Sequence, residues 1–256
     1  MALSVTILGT GTSQGIPVIG CQCGVCQSDD SRDKRLRVSV LLQKEGSNIV
    51  IDCGPDFRQQ MLQSDTTQLD AVVFTHEHND HIAGLDDIRP FNFMTWKDMP
   101  LYAMPRVANA IKKRFPYAFA VEKYPGAPML VLHELATANA FTVGSMDFIP
   151  IRLMHGQLPI LGFRVDNFAY LTDMKTIDDA ELTKLKNLDC LIINALHQEE
   201  HHSHMNLEQA LAFAAKVGAQ QTYLTHLSHQ MGKHELVLKT LPKGVSIAFD
   251  GMQLEL

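Results

Sequence analysis

The stretch Leu69-Asp70-Ala71-Val72-Val73-Phe74-Thr75-His76-Glu77-His78-Asn79-Asp80-His81 decides the fold. Its first half is a short, apolar, β-branched run, which reads as a buried strand. The run stops at His76, and His76, His78, Asp80 and His81 then fall within six residues. His76 and His78 are two apart, so in an extended segment they face the same side. Asp80 and His81 follow as the chain turns toward a helix. Four such side chains can converge on one point or on two neighbouring points. Imidazole and carboxylate suit Zn²⁺, Mn²⁺ or Fe²⁺, and this cluster offers no thiolate.

Outward from this stretch, further strands are expected at 4–8, 38–42, 48–52, 148–153, 161–165, 168–172, 188–193, 221–225 and 245–249. Gly46 marks a hairpin between the second and third of them. Helices are expected at 57–63, 178–186 and 207–217, the last with Asn206 as its N-cap. Residues 105–125 read as a helix followed by an irregular, Pro-rich connection. The strands fall in two groups, each mixed with helices. That pattern predicts an α/β (α+β) fold, two packed sheets with helices outside: an αββα sandwich in one domain over residues 1–256.

The composition agrees with a folded chain. Of 256 residues 46% are apolar and 20% charged, which excludes a disordered chain, a coiled coil or a fibre. The formal net charge is −6, and the densest cationic cluster is Lys112-Lys113-Arg114. Nucleic acid is disfavoured as a partner, because phosphate neutralisation needs Lys and Arg. A small anionic substrate, held by one local site, is not. No apolar run approaches the ~20 residues of a membrane span, so no membrane is expected. The N-terminus lacks a cationic start and a cleavage site, so a cytoplasmic location is expected.

Five cysteines is an odd number, and three of them crowd into Cys21-Gln-Cys23-Gly-Val-Cys26. In a cytosolic chain clustered thiols read as metal ligands before they read as disulfides. A structural Zn²⁺ takes four ligands, often Cys₃His. The fourth is sought in His226-Leu-Ser-His229, where two histidines sit three apart, and His229 is assigned to the zinc. The Gly-rich stretch Gly9-Thr-Gly-Thr-Ser-Gln-Gly15 is followed by no Lys, so it is not a nucleotide P-loop. It reads as a tight turn that brings backbone near the metals.

With these motifs the chain resembles the metallo-β-lactamase superfamily over residues 3–256. H-x-H-x-D-H after a short strand looks like that superfamily's metal signature. Asp52-Cys-Gly54 looks like the D-x-G that precedes it. Met154-His155-Gly156, Leu171-Thr-Asp173 and Leu224-Thr-His226 look like the later metal-binding positions. The resemblance implies an αββα sandwich with the site at one edge of the sheets. It implies two catalytic ions, Mn²⁺ or Zn²⁺, beside the structural Zn²⁺. His76, His78 and His155 would hold one ion; Asp80, His81 and His226 the other; Asp173 would bridge them. Asp52 would hydrogen-bond a ligand histidine and fix its tautomer. A hydroxide bridging the ions would be the nucleophile.

The opening Gly9 to Pro17, the C-x-C-x-x-C, Thr-His226-Leu-Ser-His229 and the closing Phe249-Asp-Gly-Met252 look like the PhnP-type phosphodiesterases of carbon–phosphorus lyase operons. That likeness implies hydrolysis of small cyclic phosphates, such as phosphoribosyl 1,2-cyclic phosphate or 2′,3′-cyclic nucleotides. Asp80 would be essential to catalysis, and His204 would look like the extra active-site histidine that protonates the leaving alkoxide. A homodimer is left open.

The sequence departs from the pattern in places. Cys53 stands inside D-x-G where a small residue is common. The segment 197–204 is rich in titratable groups, and 86–145 matches no pattern. His201 and His202 are expected in solvent, and His197 behind a ligand. His133 and His234 have no role. Two rival enzymes share the superfamily. A tRNA 3′-processing endonuclease needs a basic arm, which is absent here, and a lactone, thioester or β-lactam hydrolase would not need the zinc motif or His204. A non-catalytic PqqB-like binder would have lost much of the catalytic motif, whereas all seven expected ligands are present.

Overall fold

In the computed structural model, which describes residues 2–135 and 139–256, the apolar strand residues alternate between separate cores. The first half of the chain supplies β1 (Ser4–Gly9), β2 (Ser39–Lys44), β3 (Ser47–Ile51), β4 (Ala71–Val73), β5 (Met99–Ala103) and β6 (Leu130–Glu134). The second half supplies β7 (Phe141–Val143), β8 (Met146–His155), β9 (Leu158–Val165), β10 (Phe168–Leu171), β11 (Cys190–Asn194), β12 (Gln221–Thr225), β13 (Val245–Ile247) and β14 (Gln253–Glu255). They form two seven-stranded sheets, ordered β14-β1-β2-β3-β4-β5-β6 and β13-β12-β11-β10-β9-β8-β7.

Successive side chains of a strand leave opposite faces, and this sorts the cores. Val40, Leu42, Ile49, Ile51 and Val73 meet Phe148, Phe163, Phe168, Tyr170 and Ile192 between the sheets. Their neighbours Leu41, Val50 and Val72 face outward, under α1 (Phe57–Gln63), α2 (Asn79–Ile82), α3 (Arg89–Thr95) and α4 (Pro105–Arg114). On the far side, Ala169, Leu171, Leu191 and Ile193 lie under α5 (Asp179–Leu182), α6 (Leu207–Val217) and α7 (His234–Leu238). The result is the expected αββα sandwich.

Local signals place the helices. Asn206 closes a capping box with Gln209, its Oδ1 accepting from Gln209 N–H at 3.0 Å and its own N–H donating to Gln209 Oε1 at 3.3 Å, and Gly218 ends α6 at φ 66°. α4 stops at Arg114 because Pro116 disfavours helical backbone at the residue before it. Strands β5, β6, β7 and β14 were not among the expected elements. Each is five residues or fewer, and three carry a Pro or His or start from an irregular segment, so their alternation is too brief to register. Of the unmatched stretch 86–145, residues 136–138 lie outside the described residues. No described helix is long and apolar enough to cross a membrane.

A buried cation fastens the chain's two ends. Arg35 donates through Nη1 to Thr10 Oγ1 (2.8 Å) and Ala248 O (2.7 Å), and its Nη2 lies 3.2 Å from His234 Nδ1. The guanidinium is always a donor here, so His234 accepts, and it has a structural part the sequence did not suggest. Asp250 accepts from Thr10 Oγ1 (2.6 Å) and from Leu36 N–H (2.6 Å). Burial lowers Arg35 to about 10 and His234 to about 4, and raises the Asp250 carboxyl to about 6. A carboxyl whose folded pKa exceeds its unfolded value binds more protons when folded. Its stabilising contribution is whole below about pH 4 and declines as pH rises through about 6. Asp250→Asn removes that titration. The melting temperature of the wild type minus that of Asp250→Asn should fall between about pH 4 and about pH 6, as thermal melts across this range would show.

Candidate metal centres

The parallel strands β3, β4, β10, β11 and β12 end on one edge, and β8 ends there too. Ligand sites of open α/β sheets lie outside such carboxyl ends. Asp52 follows β3, His76 follows β4, His155 ends β8, Asp173 follows β10 and His226 follows β12. Three of these residues turn their strand ends in left-handed backbone: Asp52 at φ 66°, Asp173 at 59° and His226 at 55°. That conformation is costly outside glycine and persists only where the surroundings enforce it.

The D-x-G element is knitted to the motif helix. Cys53 N–H donates to His81 O (2.7 Å), and Gly84 N–H donates to Cys53 O (2.9 Å). A Cβ on Gly54 would stand 2.0 Å from the Asp80 carbonyl oxygen. Only glycine lets the two backbones approach this closely. The carboxylate of Asp52 accepts from Thr75 N–H (2.9 Å) and Thr75 Oγ1 (2.8 Å) and lies 2.7 Å from His81 Nδ1. It thereby holds His81 Nδ1–H and presents Nε2 forward.

Two donor groups share this edge. In the first, the forward atoms of His76, His78 and His155 lie within 4.8 Å of one another, with His76 Nε2 3.0 Å from His78 Nδ1. In the second, Asp80, His81, Asp173 and His226 converge within the same limit, all buried. His81 Nε2 is 3.3 Å from Asp80 Oδ2 and 3.4 Å from Asp173 Oδ2. His226 Nε2 is 3.0 Å from Asp173 Oδ1 and 3.8 Å from Asp80 Oδ2. Neither Nε2 makes a hydrogen bond, although both are buried. The donor atoms therefore point at a common centre rather than at each other, which is what a metal ion requires.

The electrostatics agree. Burial opposes charge on His81, but Asp80, Asp52 and Asp173 outweigh it and hold its pKa well above the usual range. His226 is likewise raised to about 9, burial being overcome by Asp173 and Asp80. In turn the carboxyls of Asp80 and Asp173 are driven below their usual range, against burial, by His81 and His226. His76, faced by His81 more than by carboxylates, is pushed well down by burial. The second group thus favours positive charge at its centre, and in the first, burial pushes the His76 and His78 imidazoles toward the neutral form, the ligand form of histidine.

The third cluster is the cysteine motif. His229 Nδ1 lies 3.3 Å from Cys21 Sγ, 3.3 Å from Cys23 Sγ and 3.6 Å from Cys26 Sγ. Tetrahedral zinc, with bonds of about 2.3 Å to sulfur and about 2.0–2.1 Å to nitrogen, sets these atoms about 3.5 Å apart. The donor set fits. Cys53 and Cys190 are core residues in separate clusters, and burial raises both thiols. Their placement explains the departure at Cys53: it fills space beneath the D-x-G turn.

All eleven expected metal-site residues therefore fall in these three groups, and His204 joins them. Its Nε2 is 3.1 Å from Asp173 Oδ1, and its ring stacks on His226 at 4.8 Å. His201 is not simply solvated, as the sequence suggested. It is half-buried, its Nδ1 is 3.2 Å from His204 Nδ1, and it accepts from Ser203 N–H at 3.3 Å. His202 is exposed, and His197 packs 5.9 Å from the His201 ring. The reading also missed Ser203, whose carbonyl lies 2.9 Å from His155 Nδ1. A backbone partner leaves no trace in residue type. The Gly-rich turn meets the second group as expected: Leu227 N–H donates to Thr10 O, and Thr12 N–H to Leu227 O, at 2.9 and 3.0 Å.

Sandwich, strand-end site and paired donor groups together define the class. A family model described as a beta-lactamase superfamily domain matches residues 47–227, and the chain belongs to the metallo-β-lactamase superfamily. Within it the chain falls in the PhnP family. A solved diphosphatase from that family is 40% identical, with a TM-score of 0.94 over 100% of this chain and 98% of the other. A Porphyromonas gingivalis protein named octanoyltransferase is 43% identical over 250 residues, covering 96% of this chain and 50% of that protein. The chain thus spans half the length of that relative. Zinc-bound PqqB from Methylobacterium extorquens shares the fold, with a TM-score of 0.82 at 17% identity over 99% of this chain and 100% of the other. The three donor clusters match the metal-site pattern of that superfamily.

Asp52 gives the first test of the donor geometry. Asp52→Ala frees His81 Nδ1 and should weaken one metal by about 10–100-fold, as loss of such orienting partners does elsewhere. Competition against a chromophoric chelator measures it; unchanged affinity would mean that Asp52 does not orient His81.

Proposed function

We propose that the chain is a metal-dependent phosphodiesterase acting on small cyclic phosphates, such as phosphoribosyl 1,2-cyclic phosphate or 2′,3′-cyclic nucleotides. One observation carries the reading: two donor groups, the second of them wholly buried, lie side by side, with Asp173 in the second and His204 against it. His76, His78 and His155 would hold one ion, Asp80, His81 and His226 the other, and Asp173 would bridge them. The all-N/O set suits Mn²⁺ or Zn²⁺, and the Cys21, Cys23, Cys26 and His229 set a structural Zn²⁺. When bound, such a pair of ions activates water for attack and neutralises charge on phosphoryl oxygens.

The chain's own residues supply the rest. Water adds to phosphorus and an ester P–O bond breaks, so the departing alkoxide must gain a proton. His204 stands closest to this task, with its side chain 12% exposed and its Nε2 directed at Asp173. Burial lowers its pKa to about 4, so its ring is neutral in the free protein. An anionic phosphoryl group beside the ring raises that value again and couples protonation to substrate binding. His201 and Ser203 hold the opposite ring nitrogen. Asp80, on the first turn of α2, closes the second group.

A second reading has specific support. The 40% identical structure is a diphosphatase, so the scissile bond here would be a phosphoanhydride. Both reactions hydrolyse a bond at phosphorus, and the same residues serve each. The acyl chemistry in the name octanoyltransferase describes a protein twice as long, of which this chain matches half. A panel of 2′,3′-cyclic nucleotides, phosphoribosyl 1,2-cyclic phosphate, a nucleoside diphosphate diester, a lactone and a thioester separates these readings. Metal-dependent turnover of the cyclic phosphates is expected. Turnover confined to the diphosphate would favour the second reading, and turnover confined to the lactone or thioester would defeat both.

Two substitutions follow. Asp80→Ala should abolish turnover while leaving the far-ultraviolet circular dichroism intact. His204→Ala should slow 2′,3′-cyclic nucleotide hydrolysis by about 10²–10⁴-fold. Its effect on bis-p-nitrophenyl phosphate should be far smaller, because p-nitrophenolate leaves unaided. Equal losses on both substrates would reduce His204 to a positioning part.

A further inference from the structure

Three buried histidines of the paired groups have their second ring nitrogen held. His76 Nδ1 lies 3.0 Å from Thr75 Oγ1, His81 Nδ1 2.7 Å from Asp52 Oδ2, and His155 Nδ1 2.9 Å from Ser203 O. His226 differs: its Nδ1 is buried, and no group among the described residues hydrogen-bonds it. Metal-ligating histidines almost always anchor that nitrogen, because the anchor fixes ring orientation. The His226 ring must be aimed by other means.

The backbone aims it. His226 lies at φ 55°, a strained setting that needs enforcement from outside. The turn after it is pinned on three sides. Leu227 N–H donates to Thr10 O (2.9 Å), Leu227 O accepts from Thr12 N–H (3.0 Å), and Ser228 N–H donates to Leu196 O (2.8 Å). The fourth fastening is His229, three residues on, whose ring meets the sulfurs of Cys21, Cys23 and Cys26 at 3.3–3.6 Å. One short turn thus carries a donor of the second group at its start and a donor of the thiolate cluster at its end.

We propose that the Cys₃His cluster is the orienting device for His226, and that metal at this cluster and metal at Asp80, His81 and His226 bind cooperatively. His229 is then a positioning residue for the second group, taking the part that Asp52 plays for His81. The inference rests on the metal assignment proposed above. Coupling of this kind is reciprocal: occupancy of either site raises affinity at the other by the same factor.

The test is metal counting and affinity, independent of turnover. Wild-type protein should bind three metals per chain in competition with a chromophoric chelator. Fewer would overturn the assignment itself, and the coupling with it. In His229→Ala the zinc should be lost and one further metal weakened by about 10–100-fold. The remaining metal, at His76, His78 and His155, should keep its wild-type affinity. His229→Cys, which offers a fourth thiolate, should restore the zinc and with it the weakened site. A general loss of structure would instead weaken both catalytic metals. If His229→Ala does not fold, the folded wild type is treated with a mercurial that displaces zinc from thiolates. The zinc should leave, and one of the two remaining metals should then be weakened by about 10–100-fold in the chelator competition. Loss of the zinc with the affinities of both others unchanged, in the treated wild type or in a folded His229→Ala chain, would overturn the proposal.

Discussion

Three carboxylates, those of Asp52, Asp80 and Asp173, are taken almost entirely out of water at the end of the sheets. A carboxylate so placed is prohibitively unfavourable unless paired and hydrogen-bonded. Here each is paired with imidazole: Asp52 with His81, and Asp80 and Asp173 with His81 and His226. The rest of the molecule is arranged to make this concentration of charge tolerable. Thr75 supplies both its N–H and its hydroxyl to Asp52, and Gly54 gives up a side chain so that the D-x-G turn can lie against Asp80. The apolar walls on either side, from the inter-sheet core to the helices, exclude the water that would otherwise screen the charges.

The same edge concentrates backbone strain. Asp52, Asp173 and His226 each bend a strand end through left-handed backbone, and each carries a side chain that meets the charged cluster. Regular strand geometry alone would send these side chains alternately up and down. The left-handed step lets the ends of β3 in one sheet and of β10 and β12 in the other present to one charged cluster. Strain at a functional site thus has an identifiable geometric return, and it is sustained by parallel pairing of β10, β11 and β12 beneath it.

Much of this was legible in the residues. The motif from His76 to His81 and the later His155 and His226 sit where strand runs end, while the C-x-C-x-x-C stands out by residue type alone in a loop between β1 and β2. The αββα layering followed from the strand runs falling in two groups, each mixed with helices. What escaped has a common physical cause, since contacts that depend on tertiary pairing or on backbone atoms carry no local signal. Arg35 meets His234 across 199 positions, Thr10 meets Asp250 across 240, and the Ser203 carbonyl serves His155 whatever side chain residue 203 bears. The short strands β5, β6, β7 and β14 offered too few residues for a period to show. His201 read as a loop histidine because nothing in the irregular segment 197–204 marks which of its rings turns toward His204, three residues on.

The thiolate cluster also has a temporal meaning. Cys21 and His229 are 208 positions apart, and nearly the whole sandwich lies between them in sequence. Closing so long a loop costs entropy that is recovered only when the intervening sheets are in place. Cys21, Cys23 and Cys26 leave the ribosome early and wait, solvated and uncoordinated by His229, until the last strands arrive. His226 belongs to the same late segment. A nascent chain therefore carries the whole motif from His76 to His81 long before the second donor group is complete. His226 and His229 are thus the last-made members of their donor clusters, and a chain interrupted before residue 226 would lack a donor in two of the three clusters.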